Sequence, residues 1–325
     1  MALLATGQLC PRLTEKKSLC ITSVATFHRR RSVASPDLKG TAMLLGNAPC
    51  SWGINYPTGN AYTWQHYLDE VAAAGYRGTE LGPFGFLPRD QAVLRAELAR
   101  RDLTLIGATH VHTFGDRASA PELIATLREL APLMRDLGAG HIVVMDESNW
   151  YPAGQEGVLD ETGWQGLVAT VREAQAVIEG EFGLKASFHP HVGTAVEREA
   201  QIDRLLAETD IDLCFDTGHH AFWGQDPLAY MHKVWSRIAY MHLKNVDDAV
   251  RRRVLDGQLS IEASYGAGVM APLPDGAVDI RAILAFLEEK GFAGPVVVEQ
   301  DVAENAAETP LQLATRNFTY MQANS

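Results

Sequence analysis

From Met43 onward the chain alternates between short apolar runs and longer amphipathic segments. Apolar runs of five or six residues, bounded by Gly, Asp or His, read as buried strands. Eight follow in order: Leu44–Ala48, Tyr76–Leu81, Thr104–Ala108, His141–Met145, Lys185–His189, Asp212–Asp216, Ile238–Leu243 and Pro295–Glu299. Between them apolar positions recur at helical spacing. In Tyr62–Ala74 the residues Trp64, Tyr67, Leu68, Val71 and Ala72 fall on one face. The same periodicity predicts helices over Gln91–Arg101, Pro121–Leu137, Trp164–Glu181, Glu199–Ala207, Pro227–Ser236, Ile280–Lys290 and, last, about Leu311–Met321. Gly75, Gly138, Gly183 and Gly291 stand where a capping glycine ends a helix.

A strand regularly followed by a helix predicts a parallel sheet. One unbroken series of eight such units predicts a single-domain α/β fold closed into a (β/α)8 barrel. An open doubly wound sheet would carry a glycine-rich phosphate loop after its first strand. Here that strand runs into Pro49-Cys50-Ser51-Trp52-Gly53, which is no phosphate loop. The longest gap, Asn245 to Asp279, is expected to be a long loop after strand seven and a lid.

Charge divides the chain in two. Residues 1–42 hold seven Lys or Arg against two acids, a balance of +5, which leaves −17 for the rest of a −12 chain. We therefore take 1–42 as a basic leader outside the fold and 43–325 as the barrel. The leader is expected to be a disordered tail, a transit-like segment or the product of an upstream start with Met43 the true one. An acidic body repels phosphate backbones, which excludes nucleic acid as a partner. No apolar stretch approaches the roughly 18 to 20 residues of a membrane helix. Cys50 and Cys214 are isolated in the body, and no CxxC pair occurs, so a reducing cytoplasm fits best.

In such a barrel the chemistry lies at the carboxyl ends of the strands. Seven of the 11 histidines fall there: His110, His112, His189, His191, His219, His220 and His242. Four successive strands end in His189, Asp216, His242 and Glu299, a set that would converge on one divalent ion. Imidazole with carboxylate suits Mn or Co, with Zn, Fe or Mg also admissible. Such an ion polarises a carbonyl and acidifies the neighbouring C–H. Glu80 and Lys244 end strands two and seven, and Trp52 offers an aromatic platform for a sugar ring.

These segments resemble the xylose isomerase-like TIM barrel family of sugar isomerases and epimerases, and within it the inosose dehydratases. The likeness rests on Asn47-Ala48-Pro49-Cys50-Ser51-Trp52-Gly53, Gly78-Thr79-Glu80-Leu81-Gly82-Pro83, Phe188-His189-Pro190-His191-Val192-Gly193-Thr194, Asp216-Thr217-Gly218-His219, His242-Leu243-Lys244 and Val298-Glu299-Gln300-Asp301. The resemblance implies metal ligation by His189, Asp216, His242 and Glu299. It implies dehydration of 2-keto-myo-inositol to a cyclic dione through an enediolate. Glu299, Lys244 and His219 would handle protons, with Glu80, His191, His220, Trp52 and His110 binding the substrate.

Two departures bear on the reaction. Strand five ends in His189 where the epimerases place a second proton-shuttling Glu, which favours a lyase over an isomerase or epimerase. Leu273-Pro274-Asp275-Gly276 stands where the resemblance implies a Leu-Gly-Glu-Gly turn in contact with substrate. The alternative is a sugar or sugar-phosphate isomerase or epimerase on the same barrel. An endonuclease of this fold is disfavoured by the acidic body, and a non-catalytic sugar-binding barrel by the metal-ligand set. A homo-oligomer is left open.

Overall fold

The computed structural model describes residues 43–147, 159–304 and 306–324; the leader lies outside them. The elements run β1 (Leu44–Asn47), α1 (Trp64–Ala74), β2 (Gly78–Glu80), α2 (Gln91–Arg100), β3 (Thr104–His112), α3 (Ala120–Leu137), β4 (His141–Asp146), α4 (Glu161–Gln175), β5 (Lys185–Phe188) and α5 (Glu199–Glu208). Then come β6 (Asp212–Asp216), α6 (Thr217–Phe222), α7 (Pro227–Val234), β7 (Ile238–Leu243), β8 (Asn245–Val246), α8 (Asp248–Leu255), α9 (Ile261–Gly266), β9 (Met270–Ala271), α10 (Ile280–Glu289), β10 (Pro295–Val298) and α11 (Pro310–Ala323).

Eight parallel strands close in the order β1-β10-β7-β6-β5-β4-β3-β2. All eight expected strands are present, and so are the expected helices. The helix starts are set by side chains that accept from the first free amides: Thr63 for α1, Asp90 for α2, Asp160 for α4, Asp226 for α7 and Thr309 for α11. Gly75 and Gly138 end α1 and α3 in the left-handed region, at φ 108° and 85°.

Alternate strand residues split between two cores, because side chains on a strand point to opposite faces. One set faces the helices and joins residues such as Leu68, Leu123, Leu167, Leu205 and Leu284 in the main core. The other fills the barrel lumen with Ile106, Val143, Cys214, Tyr240 and Val297. Tyr240 crosses toward β3, where Gly107 leaves room: a Cβ there would lie 2.4 Å from the tyrosine Oη.

The segment after β7 departs from expectation. Residues 245–279 form not an open loop but an antiparallel pair, β8 with β9, enclosing α8 and α9. Val246, Val254, Ile261, Val269 and Met270 pack there on Val192 and Phe222, forming a small core of their own. Asn245 pins the return: its amide donates to the carbonyls of Leu273 and Val278, and its oxygen accepts from the amides of Val246 and Val278. No helix of the described residues is long and apolar enough to cross a membrane.

Candidate active site

Strand register brings the four nominated ligands to one level. Asp216 on β6 pairs directly with His242 on β7. Glu299 follows Val298, which pairs with Leu243, and its amide donates to the Leu243 carbonyl at 3.2 Å. His189 follows β5, its amide bound to the Val144 carbonyl. One donor atom from each of His189, Asp216, His242 and Glu299 lies within 4.8 Å of the other three, and all four residues are buried.

What their atoms do there is informative. Asp216 caps α6, its Oδ1 accepting from the amides of Gly218 and His219 at 2.8 Å each. Its Oδ2 is buried without a hydrogen-bond partner, as are His189 Nδ1 and His242 Nδ1. Buried polar atoms left unsatisfied cost free energy, and three converging on one point are the environment a cation fills. Burial, with the neighbouring His242, lowers the His189 pKa well below the usual range, so its imidazole is neutral and able to ligate. Burial raises Asp216 to about 6. Two imidazoles and two carboxylates suit a divalent metal ion.

Lys244 stands beside this group, 3% exposed. Its Nζ lies 2.8 Å from Glu299 Oε2, 3.0 Å from Asp301 Oδ2 and 3.1 Å from His219 Nε2. Burial alone would lower its pKa; the carboxylates of Asp301, Glu299 and Asp216 outweigh that and raise it. Burial also opposes ionisation of Glu299, yet His242 and Lys244 hold its carboxyl below the ordinary range. The approach of α6 to the end of β7 requires Gly218, whose Cβ would lie 2.5 Å from Lys244 Cβ.

His219 and His191 sit together at the same end, ring centroids 3.7 Å apart. Burial keeps both neutral, with His191 at about 3 and His219 well below its usual value. The remaining nominated residues are placed differently. Trp52 is buried edge-on against Tyr67, its indole N–H on Glu70 Oε2 at 2.6 Å, so packing accounts for it. His220 is buried, stacked on Tyr230 with its Nε2 3.4 Å from Glu199. His110 is half-buried near His112 on the long end of β3. Glu80 is buried against β7 rather than open at the mouth: Tyr240, His242 and Thr109 take both its oxygens. In the turn after β9, Asp275 pairs with Arg316 at 2.7 Å and the Leu273 amide donates to Asn317, so this turn is fastened to α11.

Three neighbours of the cluster were not nominated from sequence: Cys214, Tyr240 and Asp301. Each lies two residues from a nominated one, on the same strand face or its extension. Period-two reading outward from Asp216, His242 and Glu299 would have found them.

Residues 68–318 match the family model described as "Xylose isomerase-like TIM barrel". Over 270 residues the chain is 33% identical to an inosose dehydratase of Geobacillus kaustophilus, covering 79% of this chain and 87% of that protein. It is 35% identical over 266 residues to the rhizopine catabolism protein MocC of Rhizobium meliloti, covering 79% and 81%. Among solved structures the IolI protein with a bound zinc atom superposes with a TM-score of 0.66, at 17% identity, covering 86% of this chain and 98% of that one. That last likeness is one of fold.

Proposed function

This chain belongs to the xylose isomerase-like TIM barrel family, and from that membership we propose that it is a metal-dependent carbon–oxygen lyase acting on a cyclic polyhydroxylated ketone, 2-keto-myo-inositol. The observation that carries the reading is the convergence of unpartnered Asp216, His189 and His242 atoms beside a Glu299–Lys244 pair. A divalent ion, Mn or Co first, held by His189, Asp216, His242 and Glu299 would supply the Lewis acid that acidifies the C–H next to the ketone.

The chain's own groups then move the protons. Glu299, kept ionised by its charged neighbours, takes the proton from the carbon beside the ketone. Lys244 gives a proton to the β-hydroxyl, which leaves as water as the C–O bond breaks. The proton on Glu299 returns to Lys244 across 2.8 Å, so one water is lost and both groups are restored. His219, in contact with the Lys244 ammonium, orients that donor, and neutral His191 offers a ring nitrogen to a substrate hydroxyl.

The isomerase or epimerase alternative is weaker here. Moving a proton between faces calls for two opposed carboxylates, and β5 presents His189 instead. Mass spectrometry of products after incubation with 2-keto-myo-inositol separates the two. Loss of one water, abolished by chelator and restored by Mn or Co, is the expected result. A product of unchanged mass would replace the lyase with the isomerase or epimerase.

A further inference from the structure

Glu80 ends β2, three strands around the barrel from β7. It is 1% exposed, and each of its oxygens is occupied by the protein. Oε1 accepts from Tyr240 Oη at 2.8 Å and from His242 Nε2 at 2.9 Å, and Oε2 accepts from Thr109 Oγ1 at 3.0 Å. A carboxylate can only accept, so the His242 nitrogen facing it carries the proton. In the neutral imidazole, the form that ligates a metal, the lone pair is then on Nδ1, which lies 3.5 Å from Glu299 Oε1 and 3.9 Å from Asp216 Oδ2. Tyr240, two residues before His242 on the same face of β7, braces the same carboxylate oxygen. It has space to do so because Gly107 carries no side chain.

We propose that Glu80 is a positioning residue: its carboxylate, held by Tyr240 and Thr109, fixes the ring and tautomer of His242 so that Nδ1 faces the metal position. It is not a substrate contact. The inference rests on the reading of His242 as a metal ligand. Carboxylates that hold a ligating imidazole by its second nitrogen typically tune affinity about 10- to 100-fold.

The test measures Zn2+ and Mn2+ affinity of the full chain by competition with a chromophoric chelator, for wild type, Glu80→Gln, Glu80→Ala and Tyr240→Phe. Glu80→Gln and Glu80→Ala should weaken binding by about 10- to 100-fold, and Tyr240→Phe by a smaller factor in the same direction. At saturating metal, KM for the ketone should change little in Glu80→Gln. Long-range 1H–15N spectra of the zinc-loaded wild type should show His242 protonated at Nε2, and in Glu80→Gln a loss or weakening of that protected proton. Wild-type metal affinity in the Glu80 variants together with a raised KM would overturn the proposal and return Glu80 to the substrate. Should Glu80→Ala fail to fold, Tyr240→Phe, which removes one hydroxyl, still decides: unchanged affinity and an unchanged His242 signal count against it. Failure of the wild type itself to bind either ion would instead sink the parent reading.

Discussion

Glu197 lies between β5 and α5 with its side chain fully buried. Its Oε2 accepts from the Gly193 amide at 2.9 Å and from the Trp223 indole at 3.0 Å. Its Oε1 has no hydrogen-bond partner, and Arg198 Nε stands 3.7 Å away. Burial outweighs these contacts and pushes the carboxyl up to about 7. In the unfolded chain it titrates near about 4.3. Between those values the folded protein holds a proton that the unfolded chain has released. Stability therefore falls as pH rises through that window, and this group adds no slope outside it. At about 1.4 kcal/mol per pKa unit the loss over the whole window is on the order of 4 kcal/mol.

Glu197→Gln keeps an acceptor oxygen for Gly193 and Trp223 but cannot ionise. Urea unfolding of both proteins at about pH 5 and about pH 8, followed by tryptophan emission, isolates the effect as a difference of differences. The wild type should lose about 2 to 3 kcal/mol relative to the variant between the two conditions. Parallel profiles, within about 0.5 kcal/mol, would mean that Glu197 is already ionised in the fold and that burial does not govern it. The residue matters to the site because it ties the segment carrying His191 to Trp223, which directly follows the helix carrying His219.

Glu299→Gln should lower kcat by at least about 10²- to 10⁴-fold, since it removes the proposed base; near-normal turnover would refute that role. Gly107→Ala would place a methyl 2.4 Å from Tyr240 Oη and 2.9 Å from its Cε2. The resulting overpacking should cost about 1–3 kcal/mol, read as a lowered thermal midpoint, and an unshifted midpoint would show that the lumen has slack. Asn245→Ala leaves the buried Leu273 carbonyl and the amides of Val246 and Val278 without their partner, and removes one of two donors to the half-buried Val278 carbonyl. It should cost about 2–4 kcal/mol and expose residues 272–279 to limited proteolysis, whereas wild-type resistance would mean that the turn holds itself.

Local pattern carried the barrel because each strand is a short apolar run and each helix a two- to five-turn stripe, both within reach of a periodicity window. It also placed His189, Asp216, His242 and Glu299 in one group, since parallel strands of similar length end at similar height. It did not carry the excursion after β7. Helices α8 and α9 span eight and six residues, and β8 and β9 two each. β8, β9 and α9 are too short to show a period, and the apolar positions of α8 are interrupted by Asp248 and Arg251 to Arg253; these elements form because Val246, Val254, Ile261 and Val269 find Val192 and Phe222 across the fold. Likewise β3 runs on to His112 only because β4 pairs with it as far as Asp146.

Side-chain roles divide along the same line. Chemical type at a strand end marks a residue that lies near the mouth, but not which way its side chain turns. Trp52 and His220 satisfy the same local criterion as His191 and His219, yet one packs on Tyr67 and the other on Tyr230. Glu80 is the sharper case. Its sequence neighbours describe a strand-end acid open to a ligand. The residues that occupy it come 29, 160 and 162 positions later, from β3 and β7. Only closure of the barrel brings β2 to face β7, and only the absent side chain of Gly107 lets Tyr240 reach in. The hydrogen bond that Glu80 accepts from His242 Nε2, on which the proposed tautomer rests, is thus a contact across the lumen that no local reading of either strand contains.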